Sequence, residues 1–170
     1  DLAILCLPLK NTNVKYQVFY EDPIYVAVPS WHPLNRESYA KEGEEMRYLP
    51  IGALQNQTFI LTKPTKKTRM AADRILSNLN GHYQVGMESL NIETVIRLVA
   101  GGLGISLVPN VFTKTYLTGD KVNYYQLEEQ YAPRWQWAVI YNDSLSSLSR
   151  PSRELYHILC DEGCCFPDYI

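Results

Sequence analysis

The stretch from Val85 to Asn110, VGMESLNIETVIRLVAGGLGISLVPN, constrains the fold of this chain more than any other part of its sequence. It opens like a strand and then places apolar residues at the i, i+3, i+4, i+7 spacing of one helix face: Ile92, Val95, Ile96 and Val99. The helix is expected to stop at Gly101 and Gly102, because glycine accepts the left-handed backbone of a helix cap. An apolar strand, 105–108, then follows. The stretch therefore predicts a strand–helix–strand unit of an α/β fold.

The glycines of this stretch do not have the pattern of a phosphate-binding loop. The GGLG run at 101–104 follows a helix rather than a strand, and no Gly-Lys-Ser or Gly-Lys-Thr comes after it. Their expected role is to shape the turn between the helix and the next strand.

The rest of the chain alternates strands with helices. Strands are expected at 1–7 (buried), 14–20, 24–28, 58–61, 83–87, 122–127 and 135–141. Thr65 is expected to cap a helix that runs through Leu79, and Ser149 or Ser152 is expected to start the last helix. This alternation predicts a mostly parallel sheet covered by helices. Two extended stretches, around 23–29 and around 131–138, interrupt it and would let the chain enter and leave a second lobe.

Composition and charge narrow the class of protein. The 170 residues are 46% apolar, which is enough for the core of one domain or of two small lobes. A net charge of −2 and a pI of about 5.9 do not favour a DNA-binding surface. No apolar run approaches the ~20 residues of a membrane span, and the first residues lack the basic region of a signal peptide. A cytoplasmic protein is therefore expected.

The cysteines do not have the spacing of a structural zinc site. Cys160, Cys164 and Cys165 lie near the C-terminal end, far from Cys6. His157 precedes Cys160 by three residues, so the two side chains could bind a metal ion together. Structural zinc, however, needs four ligands at repeated spacings. Reduced thiols are the expected state, and neither a metal nor a cofactor is expected.

Several segments, taken in order, resemble the effector-binding domain of LysR-type transcriptional regulators. ESLNIETVIRLVAGGLGISLVP, at 88–109, looks like part of the second lobe of that domain, and DLAI, at 1–4, looks like a strand of its first lobe. YEDPIYVAVP, at 20–29, with the His-Pro-Leu turn at 32–34, is similar to the crossover between the lobes. The segment 59–69 resembles the strand, loop and helix that open lobe II. Two more segments look like the return strand and the closing helix: 135–141 and 149–161.

The resemblance implies a two-lobed, periplasmic-binding-protein-like (type 2) α/β domain with lobe I incomplete and lobe II complete. Lobe I would take residues 1–28 with the crossover strand, lobe II would take 29–134, and 135–170 would hold the return strand, the closing helix and a tail. It also implies a function. The domain would sense a small-molecule effector, form dimers or tetramers, and regulate transcription through a DNA-binding helix-turn-helix domain absent from this chain.

In that family the effector lies in the cleft between the lobes, so strand ends and helix N-termini are the candidate positions. The candidates are Thr62, Lys63, Pro64, Thr65, Ser89, Leu90 and Asn91, with Pro109 and Cys6 at the edge of the pocket. Hydroxyl groups and the unpaired N–H groups of helix N-termini favour an anionic or carbonyl-bearing effector.

Four of the polar candidates also have a purely structural alternative. Thr65, Ser89 and Asn91 could act only as helix caps, and Lys63 could be a solvated side chain. The positive cluster of this region is interpreted as a solvated helix face, with contact to an anionic ligand as the alternative: Lys63, Lys66, Lys67 and Arg69.

Two other functions compete with effector sensing. A solute-binding protein of the same fold would serve transport. An α/β enzyme would need a constellation of reactive groups, and none of the three histidines, His32, His82 and His157, has a nucleophile arrangement beside it in the sequence. The chain is therefore not expected to be an enzyme.

Overall fold

The computed structural model describes residues 2–9, 14–116, 118–142 and 144–160. Its strands are β1 (Leu2–Cys6), β2 (Lys15–Asp22), β3 (Ile24–Pro29), β4 (Tyr39–Ala40), β5 (Arg47–Tyr48), β6 (Thr58–Thr62), β7 (Gln84–Ser89), β8 (Ser106–Pro109), β9 (Val122–Tyr125) and β10 (Trp135–Tyr141). Its α-helices are α1 (Lys67–Leu76), α2 (Ile92–Ala100), α3 (Asn110–Thr115) and α4 (Arg150–Cys160).

The chain divides into two compact units. We call Asp1–Asp22 with Arg134–Ile170 the discontinuous unit, and Pro23–Pro133 the central unit. The boundaries expected from the sequence fall after residues 28 and 134; in the structure β3 pairs with β8 and β9 inside the central unit.

The discontinuous unit is a three-stranded antiparallel sheet with a helix on it. Strand β10 lies between β1 and β2 and is antiparallel to both. Tyr156 and Leu159 of α4 pack around Val139 of β10. The expectation of a buried strand at 1–7 is wrong, because Ile4 and Leu5 of β1 are 41% and 47% exposed. An apolar run favours a strand, but whether that strand is covered depends on its tertiary neighbours.

The start of the last helix agrees with one of the two serines expected from the sequence. Helix α4 begins at Arg150, and the Oγ atom of Ser149 accepts a hydrogen bond of 3.4 Å from the Ser152 backbone N–H. Ser149 is thus the residue at which the chain turns into the helix.

The central unit contains a mixed sheet rather than the mostly parallel one expected. Strands β6 and β7 are parallel, and β6 joins β8 through a parallel bridge between Phe59 and Ile105. Strand β3, by contrast, is antiparallel to both β8 and β9. The reason lies in the connection: the chain enters this unit at Pro23, whose carbonyl accepts from the Asn110 N–H just beyond the end of β8. A strand that starts where β8 ends must run against it.

Helix α2 supplies the core of the central unit, as the spacing of its apolar residues predicts. Val95, Ile96 and Val99 are fully buried and pack against residues of four strands: Ala27, Ile60, Val108 and Val122. The expected one-sided apolar face is therefore confirmed, with Ile92 partly buried at its N-terminal end.

The glycine run after α2 forms the predicted turn. Gly102 has φ +82°, its N–H donates to the Val99 carbonyl (2.8 Å), and the Leu103 N–H donates to the Leu98 carbonyl (3.2 Å). These two bonds are those of a Schellman cap. Gly104 is constrained differently, because a Cβ atom there would lie 2.5 Å from the Thr58 carbonyl oxygen of β6.

Candidate functional site

The ends of β6, β7 and β8 meet at one edge of the central sheet. Because these strands run in the same direction, their carboxyl ends lie side by side. We call the residues there the carboxyl edge; each segment begins with the last residue of its strand: Thr62–Thr65 at the end of β6, Ser89–Asn91 at the end of β7, and Pro109–Asn110 at the end of β8. In open α/β sheets, ligands bind outside the carboxyl ends of the strands. The structure thus brings together the candidate segments 62–65 and 89–91, whose nearest residues are 24 positions apart in the sequence.

The first two candidate segments are joined by a direct bond. Thr62 is paired with Ser89 in the strand register, and the Lys63 N–H donates to the Ser89 carbonyl at 2.8 Å. Thr62 is buried, and its hydroxyl lies 2.7 Å from that of Thr68 in α1. A hydroxyl has one donor and two acceptor sites, so this bond leaves part of the Thr62 hydrogen-bonding capacity unused.

The expectation that Thr65 caps α1 is wrong. The helix begins at Lys67, its N-cap position is occupied by Lys66, and no side chain accepts a hydrogen bond there. The Lys66 N–H donates to the Lys63 carbonyl (2.9 Å), so a turn precedes the helix and moves its start downstream. Lys63, Pro64 and Thr65 are all exposed at this turn. The α-helix also ends earlier than expected, at Leu76, and 3-10 geometry continues to Leu79.

At the start of α2 the cap is Asn91. Its Oδ1 atom accepts a hydrogen bond from the Glu93 N–H at 2.8 Å. The Ser89 Oγ atom accepts from the Asn91 N–H at 3.1 Å, which holds the turn between β7 and α2. Neither bond uses the Asn91 side-chain amide N–H groups or the Ser89 hydroxyl proton. Both side chains therefore have a structural role and still keep donors for a ligand, while Leu90 between them is exposed.

The last two candidates differ in location. Pro109 is buried at the end of β8, opposite Ile24 at the start of β3. Cys6 lies in β1 of the discontinuous unit, opposite Trp137, and is half-buried.

Two residues that bond to the carboxyl edge or adjoin it, Arg69 and Glu88, were not among the candidates predicted from the sequence. Arg69 was assigned to a solvated helix face, and that interpretation is wrong for it, because its side chain is only 13% exposed. Its guanidinium donates to the Thr62 carbonyl (3.1 Å), to Asp73 (2.8 Å) and to Glu88. Burial alone would lower the pKa of Arg69, but the hydrogen bonds to Glu88 and Asp73 outweigh it and raise that pKa. The one available signal was the Arg69–Asp73 spacing of four residues, which favours a helical ion pair.

The central unit has a concave region that was not anticipated from the sequence. It is an open pocket of about 670 Å³ beside the start of α3 and the end of β9. Its lining includes Tyr25, Arg47, Asn110, Lys114 and Tyr125.

Two classes of site find no support in the described part of the chain. Within it, no group of His, Cys, Asp and Glu side chains is arranged to hold a metal ion. Cys160 is half-buried in α4, whereas Cys164 and Cys165 lie outside the described residues. No helix of the described residues is both long and apolar enough to cross a membrane.

Comparison with known proteins decides the family. The family model for the LysR substrate binding domain matches residues 1–159. The chain belongs to the LysR substrate-binding domain family. Its α/β fold is the periplasmic-binding-protein-like type 2 fold of LysR regulatory domains, as the resemblance implied.

Relatives of this LysR-family chain include transcriptional regulators. The RuBisCO operon transcriptional regulator of Allochromatium vinosum is 27% identical over 147 residues, which are 83% of this chain and 43% of that protein. The protein of the same name from Acidithiobacillus ferrooxidans is 32% identical over 122 residues, 72% of this chain and 37% of that protein. The chain thus spans less than half the length of these relatives.

Solved structures agree on the fold. The regulatory domain of CcmR from Synechocystis PCC6803, in complex with 2-PG, superimposes with a TM-score of 0.78 at 22% identity, covering 97% of this chain and 74% of that one. The effector-binding domain of QuiR in complex with shikimate gives a TM-score of 0.74 at 16% identity, covering 96% of this chain and 71% of that one.

Proposed function

We propose that this chain is the effector-sensing and oligomerisation part of a cytoplasmic LysR-type transcriptional regulator. It binds a small metabolite and thereby changes DNA binding by a helix-turn-helix domain. The family match over residues 1–159 is the observation that carries the proposal. The role is binding rather than catalysis.

The effector site we propose is the carboxyl edge. Ser89 and Asn91 offer side-chain donors there, and the first turn of a helix such as α2 leaves backbone N–H groups without a partner inside the helix. Lys63 and Lys66 add exposed positive charge beside them. Partial positive charge at a helix N-terminus and ammonium groups both stabilise an anion, so the proposed effector is a small carboxylate or another anionic or carbonyl-bearing metabolite. Two solved structures of the same fold contain a bound small molecule: CcmR holds 2-PG and QuiR holds shikimate. Both support a small-molecule effector for this chain.

The transport alternative has weaker support. The relatives named above are transcriptional regulators, and none of them is named as a transport protein.

A ligand screen tests the proposal. Melting of the protein would be followed with a panel of small mono- and dicarboxylates and phosphorylated acids, and the Kd of any hit would be measured by calorimetry. We expect at least one acid to bind, and Ser89→Ala to weaken it about three- to tenfold, the effect of one lost hydrogen bond of ~0.5–1.5 kcal/mol.

The matched control is Ser77→Ala, which removes a serine hydroxyl that donates to the Arg74 carbonyl (2.7 Å) at the far end of α1. Ser77→Ala should leave the Kd unchanged. The site assignment fails if Ser89→Ala binds the hit as tightly as Ser77→Ala does, and the sensing role fails if no acid binds.

A further inference from the structure

Arg69 connects three separate elements at the carboxyl edge. Its Nη1 atom donates to the Thr62 carbonyl at the end of β6 and to the Glu88 carboxylate in β7, and its Nε atom donates to Asp73 in α1. The Thr62 carbonyl is the last group of β6 before the exposed turn 63–66. Arg69 is therefore bonded to the residue that begins this turn and also belongs to the helix that follows it.

The turn 63–66 is also held by backbone hydrogen bonds, including those from the Arg69 and Met70 N–H groups to the Lys66 carbonyl at the start of α1 (3.1 and 3.2 Å). The Lys63 N–H donates to the Ser89 carbonyl and so ties the turn to the end of β7. Within the turn, the Lys66 N–H donates to the Lys63 carbonyl. Four of the candidate effector contacts depend on the relative position of these two strand ends: Thr62, Lys63, Ser89 and Asn91. A shift between β6 and β7 would move the first pair away from the second.

The chemistry of the contact requires arginine. A guanidinium group presents several N–H donors in a rigid plane, so it can bond a carbonyl and two carboxylates at once. A lysine ammonium keeps the charge but is a point donor on a flexible stem, and it cannot hold the same three acceptors in fixed directions. The low exposure of the Arg69 side chain, 13%, limits the screening of these bonds by water, although Glu88 and Asp73 are themselves partly exposed.

We propose that Arg69 is a positioning residue for the effector site. By bonding the Thr62 carbonyl and Glu88 together, it fixes the turn 63–66 against the end of β7 and so sets the affinity of the carboxyl edge for its effector. The effect on affinity rests on the proposed function, whereas the fixing of the turn does not.

Amide hydrogen exchange of the full chain tests the positioning role without any ligand. Arg69→Lys should raise the exchange rate of the Lys63 amide about tenfold relative to that of the Ile60 amide, which bonds the Ile105 carbonyl in the core of the same sheet. General loss of stability would accelerate both amides together, so the ratio isolates the turn. An unchanged ratio overturns the proposal.

Arg97→Lys is the matched control. Arg97 donates from Nε and Nη2 to Glu93 within α2, but its side chain is 67% exposed and bonds neither strand end. This substitution should leave the exchange ratio unchanged. If Arg69→Lys does not fold, Glu88→Gln serves instead, because it keeps the side-chain shape and weakens the same link; it should raise the ratio in the same direction.

Binding of inorganic phosphate and malonate to the same variants tests the link to affinity. We expect Arg69→Lys to raise the Kd about fivefold or more, which corresponds to ~1 kcal/mol, and Arg97→Lys to leave it unchanged. Equal affinities in the wild type and Arg69→Lys would overturn the effect on affinity. If neither anion binds the wild type, the anion-sensing function and the affinity effect both fail, whereas the exchange ratio still decides whether Arg69 positions the turn.

Discussion

Replacing Gly104 by alanine should strongly destabilise the central unit. Gly104 has φ +159°, a conformation that L side chains rarely adopt, and an added Cβ would lie 2.5 Å from the Thr58 carbonyl oxygen. The obstacle is backbone of β6 rather than a flexible side chain, so relief requires that β6 and β8 move apart. Two hydrogen bonds join β6 to Ile105, the residue before β8: Ile60 N–H to the Ile105 carbonyl (2.8 Å) and Ile105 N–H to the Thr58 carbonyl (2.9 Å).

The expected cost follows from these contacts. The unfavourable backbone conformation costs about 1–3 kcal/mol, overpacking against β6 costs about 1–3 kcal/mol, and weakening the two hydrogen bonds adds about 1 kcal/mol. We therefore expect Gly104→Ala to lower the free energy of unfolding by roughly 3–7 kcal/mol, a large part of the ~5–15 kcal/mol of a typical domain.

Urea unfolding followed by circular dichroism measures this loss, with Gly52→Ala as the control. Gly52 has no atom within 4 Å of an added Cβ, and its φ is not in the left-handed range, so its substitution should change stability by less than ~0.5 kcal/mol. The reasoning is refuted if Gly104→Ala is as stable as Gly52→Ala, since the close approach of Gly104 to Thr58 would then carry no cost.

Two further predictions concern a cap and a titration. Asn91→Ala should lower the free energy of unfolding by ~1 kcal/mol through loss of the α2 N-cap, whereas Asn91→Ser should recover most of it; equal losses in a urea titration would contradict the cap. His32 should make stability fall at acidic pH: its Nδ1 atom accepts from the Leu34 N–H, and burial lowers its pKa below the ordinary 6.5. The unfolded chain then binds a proton that the folded one resists, so the stabilisation present above the unfolded pKa is lost as pH falls through the lower folded pKa. His32→Asn, which can cap without titrating, should therefore lose less stability than the wild type between pH ~7 and ~5; parallel curves would exclude this role for His32.

The local patterns of the sequence predicted the elements that depend on neighbours along the chain. The spacing of Val95, Ile96 and Val99 predicted both α2 and the face it buries, because one face of a helix repeats every three to four residues wherever the helix packs. The glycines at 101–104 predicted the turn, because the backbone conformation that glycine permits is a local property. The order of these motifs also carried the family resemblance, which the family match over residues 1–159 confirms.

The residue at which a helix begins, and whether a strand is buried, were less predictable from the sequence. Thr65 has the residue type of a helix cap, yet the hydrogen bond from Lys66 to Lys63 forms a turn there and α1 starts at Lys67. The apolar run of β1 has the composition of a buried strand, yet Ile4 and Leu5 are exposed. In each case a residue type allows two structures, and the surrounding chain selects one of them.

The sequence by itself therefore determined most of the longer strands and helices, though not their exact bounds, as well as the face that α2 buries and the family that the chain resembles. Only the tertiary structure decided that Thr62 lies opposite Ser89, that β3 runs against β8, and that Arg69 is bonded to Thr62 and Glu88 rather than solvated. The physical reason is that periodicity and glycine conformation act over a few residues, whereas strand direction, register and the partners of a buried charge are fixed by contacts between segments distant in the chain.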